Sequence, residues 1–218
     1  MGLSLVTAPV AEPVSLVEMR EYLRITHTDD DDILSSLMKG ARRVIENQTA
    51  SSFMTTTWDM DSVAVHDFAL DPLGIQPTRI YPPRQPVQSI THIKDMRTTQ
   101  LDTTIDPATY ALQFEASEDI AHIRPVNTGW PTNVSSEPNS CRIRFVAGYT
   151  SASLVPETVK LSIKMVTAHW YENRFECVSL LRQGKEYKRF PLGAQQLIMS
   201  IRPQIRHDQI LPDEPPIT

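Results

Sequence analysis

The apolar residues of this chain change period twice, and this constrains the fold more than any other feature. Ile33, Leu34, Leu37, Met38, Ala41, Val44 and Ile45 recur three and four apart. That spacing is one face of an α-helix, kept for more than three turns. From Phe53 to about Tyr149 the pattern alternates instead, in short runs rich in Thr, Val and aromatics. From Pro156 the helical spacing returns, with Val159, Ile163, Val166 and Trp170 on one face. Strands bracketed by helices predict an α+β fold. The expectation is a small helical bundle, with helices at about 15–25, 29–50 and 156–176, and an inserted antiparallel β subdomain at about 53–149.

Local signals refine the boundaries. Ser15 and Glu18 fit a capping box, flanked by Val14 and Met19 at the staple positions. Leu16, Met19, Tyr22 and Leu23 give the first helix its apolar stripe. Thr28 and the aspartates Asp29 to Asp32 open the second. A calcium loop beginning at Asp29 would need Gly where Leu34 stands and Glu where Gly40 stands. Capping, solvation and the helix dipole account for the four acids instead. Strands are predicted at Phe53–Val65 (Met54, Thr56, Trp58 and Met60 on one face), Val87–Lys94, Thr109–Phe114, Ala121–Pro125 and Arg142–Ala147. Pro156 is expected at the first position of the third helix, where proline costs least. The predicted core includes Leu37, Val44, Trp58, Ile163, Val166 and Trp170. Residues 1–12 read as a flexible arm, 13–177 as the body and 178–218 as a C-terminal extension for partner docking.

Composition excludes several chemistries. The seven glycines never lie closer than nine positions, so neither a dinucleotide fingerprint nor a P-loop is present. A Gly-x-Ser-x-Gly nucleophile elbow is absent too. The smallest gap between histidines is 26 residues, which rules out a His-x-x-x-His zinc face. Cys141 and Cys177 are 36 apart and form no Cys-x-x-Cys motif. The start Met-Gly-Leu-Ser-Leu-Val lacks a basic leader region, and reduced thiols are expected. No run approaches 18 apolar residues, so no membrane span is expected. His169 and Glu172 lie three apart on the third helix, but no further ligand is visible nearby, and a charged outer face explains Glu172 and Glu176 with Arg174. No catalytic residue, cofactor or metal is assigned. Dispersed triads leave no local trace, so a hydrolase stays open as an alternative.

Charge is unevenly placed. The whole chain carries −5, whereas residues 178–218 hold six basic and four acidic side chains, a net +2, which leaves −7 for the remainder. Such a balance disfavours tight phosphate binding, which needs clustered Lys and Arg. Arg42 and Arg43 pair on one helix, and Arg142 and Arg144 on one strand face, each near acidic neighbours. The cluster from Arg182 to Arg189, with Tyr187 and Phe190, suits an acidic protein surface better than nucleic acid. A short helix is expected from Gly193 to Arg202, with Leu197, Ile198 and Ile201 apolar and Pro203 as its stop. This extension has little core of its own and is expected to be ordered by a partner.

Several segments recur in one order. Pro-Val-Ser-Leu-Val-Glu-Met-Arg-Glu-Tyr-Leu-Arg-Ile (13–25) precedes Asp-Asp-Asp-Ile-Leu (30–34), Ala41-Arg42 and Val44-Ile45-Glu46. Thr-Thr-Thr-Trp (55–58), Pro-Val-Gln-Ser-Ile (86–90) and Trp130-Pro131 follow. Arg-Phe-Val-Ala-Gly-Tyr (144–149) and His-Trp-Tyr-Glu-Asn-Arg (169–174) close the series. Over about residues 13–176 this order resembles the head–tail connector, or adaptor, proteins of tailed double-stranded DNA phages and prophages. The resemblance implies a non-enzymatic virion protein of the neck, assembled in the bacterial host cytoplasm. It implies a homo-oligomeric ring, usually a dodecamer, beneath the portal protein. Such a ring extends the DNA channel, passes DNA without specific binding, and docks a stopper or tail-completion protein. A portal-contacting segment would fall here on Arg182, Lys185, Tyr187, Lys188, Arg189, Phe190, Leu192, Leu197, Ile198, Ile201 and Arg202. A stopper or tail-completion protein of the same neck is the alternative of similar design.

Overall fold

The computed structural model describes residues 2–62, 79–95, 103–114, 120–126, 141–173 and 192–201. Helices and antiparallel sheets combine in an α+β fold. Two compact units result. Among the described residues, one draws on Met1–Pro9 and Thr55–Tyr149, the other on Val10–Met54 and Thr150–Arg202.

The first unit is a β structure. Strands β1 (Gly2–Thr7), β2 (Thr56–Ser62), β3 (Val87–Asp95), β4 (Thr103–Thr104) and β7 (Cys141–Ala147) form one antiparallel sheet in the order β1-β2-β7-β3-β4. Strands β5 (Tyr110–Phe114) and β6 (Ala121–Pro125) form a second antiparallel pair, which a bridge from Ile123 ties to Ile80. The central strand shows why the sequence folds this way. In β7, Cys141, Ile143, Phe145 and Ala147 are buried and alternate with half-buried Arg142, Arg144 and Val146. This is the two-residue period of a strand with one face in the core. Phe145 stands opposite Trp58 on one side and Ile90 on the other, and Ile143 opposite Met60 and Ile93. Ile80, Val87, Tyr110, Ala121 and Ile123 complete the cluster. Each large side chain so buried stabilises the fold by about 1.5–3 kcal/mol. Gln85 lies within this unit, and its amide donates to Pro82 O and Ala121 O while accepting from Ala121 N. Gly148, at φ 107°, turns the chain out of β7 in a conformation that a β-carbon disfavours.

The second unit is helical, with α1 (Leu16–Leu23), α2 (Asp31–Thr49), α3 (Glu157–Glu172) and α4 (Leu192–Ile201). Helix α3 packs on α2 and α4, and α1 packs on both α2 and α3. The capping box is present: Glu18 N donates to Ser15 Oγ at 3.2 Å, and Ser15 N donates to Glu18 Oε2 at 2.7 Å. The bond from Ser15 N holds the Glu18 carboxyl below its ordinary range. Helices α1 and α2 stop at Arg24 and Ala50, both left-handed at φ 58° and 51°. Neither is the glycine that usually marks such a stop. The buried line of α2 is Leu34, Met38, Ala41 and Ile45, joined by Arg42, Glu46 and Thr49. Pro156 sits at the N-cap of α3, one residue earlier than expected, with ψ 139°.

Two elements differ from the sequence reading. Residues 2–7, expected to be part of a flexible arm, pair with β2 as an edge strand. Their partners lie fifty or more positions away, so no local turn announces the pairing. Strand β4 is only two residues long and lies between the predicted strands Val87–Lys94 and Thr109–Phe114.

Candidate functional site

The residues that sequence reasoning assigned to partner contact fall into two groups. Arg182, Lys185, Tyr187, Lys188, Arg189, Phe190 and Arg202 lie outside the described residues. Leu192 opens helix α4, which carries the rest. Ala194 and Ile198 are buried, Leu197 and Ile201 are half-buried, and Met199 is 64% exposed. Helix α4 is thus docked on α3 and α2 of its own chain, where the sequence reading expected order from a partner. Small residues allow it. A β-carbon on Gly193 would lie 2.8 Å from Met165 Cε, so the helix approaches α3 closely at that point. Of the apolar anchors, Ile198 faces its own helical unit.

The residues expected to be structural are also distributed unevenly. Trp58, Ile163 and Val166 are buried. Leu37, Val44 and Trp170 are half-buried. Leu37 and Val44 flank the buried line of α2 rather than lying on it. Trp170 packs by its Cζ3 edge against α2, 3.4 Å from where a β-carbon on Gly40 would stand. In the β unit the Trp58 indole donates to Thr56 Oγ1 at 2.9 Å and carries the Arg84 guanidinium 4.8 Å above its ring.

Charges on the sheet face away from the core are paired across strands. Arg144 grips Asp59 with two bonds of 2.7 Å, from Nε and Nη2. Arg142 Nε donates to Asp61 Oδ1 at 2.6 Å, and its guanidinium lies 3.8 Å from Asp59. The bond from Arg144 holds the Asp59 carboxyl below its usual value, against the opposing effect of burial. On the adjoining β3, burial and then the charges of Arg144 and Lys94 push the His92 imidazole down. Neutralised pairs of this sort give phosphate little to grip.

Arg42 and Arg43 were read together as basic residues of one helix, yet only Arg43 is exposed. Arg42 is 7% exposed and donates to Glu12 and Glu46, each at 2.7 Å. The second oxygen of Glu46 accepts from Phe53 N at 2.9 Å. Burial alone would push the guanidinium pKa down, but the bond to Glu12 and the charges of both carboxylates outweigh it. The partnership with Glu46 was legible as an i, i+4 pair. Glu12, thirty residues away, left no local signal.

The aspartate run opens α2 without a side-chain cap. Asp30 occupies the N-cap position, but its carboxylate accepts from the Tyr171 hydroxyl of α3. Asp31 lies 3.7 Å from Arg20. At the same end of α3, Asn173, not Glu172, meets His169: its amide lies 3.1 Å from the ring Nδ1, and its backbone N donates to His169 O. Among the described residues no group of three or more His, Cys, Asp or Glu side chains is placed to hold a metal. No described helix is long and apolar enough to cross a membrane.

Residues 13–124 match the family model described as phage gp6-like head-tail connector protein, which covers half of the chain. The chain belongs to this family. It is therefore a structural protein of phage-type particles rather than an enzyme. The fold is also similar to solved structures. One is a chain in the neck of an empty gene transfer agent (GTA) particle computed with C6 symmetry, at TM-score 0.70 and 21% identity. Another is from the neck of the native particle computed with C12 symmetry, at TM-score 0.69 and 20% identity. A third is from the virion of the native particle, at TM-score 0.67 and 21% identity. Each alignment covers 93% of this chain and 96% of the other. No curated protein matches the chain.

Proposed function

We propose that this chain is the adaptor subunit of a phage-type neck. It assembles, with twelve copies the expected number, into a ring beneath the portal protein. The ring prolongs the DNA channel and presents the surface on which a stopper or tail-completion protein docks. Its body is a small helical bundle carrying an inserted β subdomain. Residues 178–218 form the extension that reaches the portal. The subunit is made in the host cytoplasm and ends in the neck of the virion.

The observation that carries this reading is the family match, together with a likeness over nearly the whole chain to a subunit of a neck computed with C12 symmetry. Charge supports it. A ring joins two different surfaces of each subunit, and residues 1–177 at net −7 with an extension of net +2 supply unlike faces. An acidic channel wall would also let DNA slide, since contact would release no counterions.

Electron cryomicroscopy of particles that contain this chain tests the reading. A ring of this subunit between portal and tail is expected, with residues 178–218 against the portal. A position elsewhere in the particle would overturn the adaptor reading. A lumen lined mainly by Lys and Arg would overturn the acidic wall.

A further inference from the structure

We propose that in the assembled ring strand β1 is exchanged between neighbours, so that Gly2–Thr7 of one copy pairs with β2 of the next. The proposal rests on the ring reading above and names one of the contacts that would hold such a ring together.

Four observations carry it. The first is how lightly β1 is held. None of its six residues is buried, Leu3 is 37% exposed and Val6 43%, and only Leu5 packs against the core cluster. The second is the place of β1 in the chain. Among the described residues it pairs with β2 alone, at the edge of the sheet, while the residues that follow it, from Val10, belong to the other unit. The strand can therefore leave its site without disturbing another described strand.

The third observation is the connection. Residues 8–13 read Ala-Pro-Val-Ala-Glu-Pro, Val10 is fully exposed, and the next strong attachment is Glu12 on Arg42. Two prolines favour an extended chain there. Five residue steps from Thr7 to Glu12 reach about 17 Å when extended, which sets how near the neighbour's β2 must come. The fourth is the chemistry of the strand. Gly-Leu-Ser-Leu-Val-Thr has no charge and no proline, the devices with which edge strands discourage pairing between molecules. The register shift between Leu5 and Thr7 touches only its last residues.

These features also identify the occupant. The edge of β2 accepts Gly2–Leu5 opposite Asp61, Met60, Asp59 and Trp58, so its fit to this very sequence is already displayed. A second copy brings the same six residues. Exchange replaces each contact by its equivalent and adds no new surface, so its balance rests on the connection and on the local concentration that a ring provides.

Thr7 stands opposite Thr57, and neither belongs to the core. Opposed residues bring their β-carbons close to disulfide distance. In a background of Cys141→Ala and Cys177→Ser, one full-length chain carries Thr7→Cys and another carries Thr57→Cys. The two are co-assembled into particles and oxidised. Exchange gives a disulfide-linked dimer on a non-reducing gel, present in the rings and absent from the unassembled mixture. A chain carrying both cysteines gives covalent multimers in the rings. Single-cysteine chains that stay monomeric in rings, while the double variant closes within one chain, would overturn the exchange. Micrographs of the unmodified chain read the ring itself: particles lacking it would overturn the ring reading, whatever the gels show.

Discussion

Replacing Arg42 by Met should destabilise the helical unit by about 3–5 kcal/mol, the usual cost of removing one partner from a buried ion pair. The guanidinium makes two short bonds, to Glu12 Oε2 and Glu46 Oε2 at 2.7 Å, and a longer one of 3.3 Å to Glu12 Oε1. Bonds to charged groups contribute about 1.5–3 kcal/mol each, so the two short ones account for a loss of about 3–6. Met retains the apolar stem of the side chain, which limits the packing loss. The two carboxylates then fare differently. The Glu12 side chain is 23% exposed and can rehydrate, whereas that of Glu46 is 8% exposed and still accepts from the N–H of Phe53. A buried carboxylate that has lost its cation sets the penalty. Adding Glu46→Gln removes the charge and leaves a carbonyl for Phe53 N. The double variant should therefore be more stable than Arg42→Met alone, by at least about 1 kcal/mol. Urea unfolding at neutral pH, followed by far-ultraviolet circular dichroism, reads both values. A single-variant loss below about 1 kcal/mol, or a double variant no better than the single, would refute the argument that Arg42 compensates a buried Glu46.

Asp59→Asn should cost about 1.5–3 kcal/mol at neutral pH by weakening the grip of Arg144. Because the folded carboxyl is held below its ordinary value of 3.8, its contribution is present above that value and lost as the pH falls through the depressed one. The gap between the two proteins should therefore close in acid, and a gap that is constant with pH would refute the assignment. Ile198→Asp should undock α4, because a carboxylate cannot be buried there without a partner. Hydrogen exchange should show protection of the α4 amides falling at least tenfold while α2 keeps its own. Unchanged protection in α4 would show that Ile198 does not hold the helix.

The legible parts of this fold were those with local periodicity. Ile143, Phe145 and Ala147 announced β7 by alternation, and Ser15 with Glu18 announced the start of α1. Helix ends were less clear, since Arg24 and Ala50 take the left-handed stop with no glycine to mark it. Phase along α2 was read almost correctly, but Leu37 and Val44 border the buried line because Arg42 and Glu46 occupy part of it. A periodicity argument counts charged residues as solvent-facing, and so it misses a buried ion pair. Strand β1 and the Arg42 to Glu12 bond share another cause of failure. Both join residues distant in sequence, and neither end changes the pattern around it. The docking of α4 on α3 escaped for a related reason: its apolar residues were legible, but not which surface would take them.

The same distinction bears on how such a subunit assembles. Arg142 and Arg144, the most conspicuous charges of the central sheet, are bonded within the chain. They hold the body together rather than advertise it to neighbours. What can be offered outward without breaking the body is an element held lightly at the edge of its unit. Among the described residues, strand β1 meets β2 alone, whereas α4 packs on α3 and α2. A ring built from such exchanges would not need large preformed apolar patches on the free subunit. It would draw on surfaces that are already satisfied in cis and are satisfied again in trans, which keeps the unassembled chain from sticking at random. The specificity of the ring would then lie in the fit of the strand sequence to its own β2, a contact every copy carries in both halves.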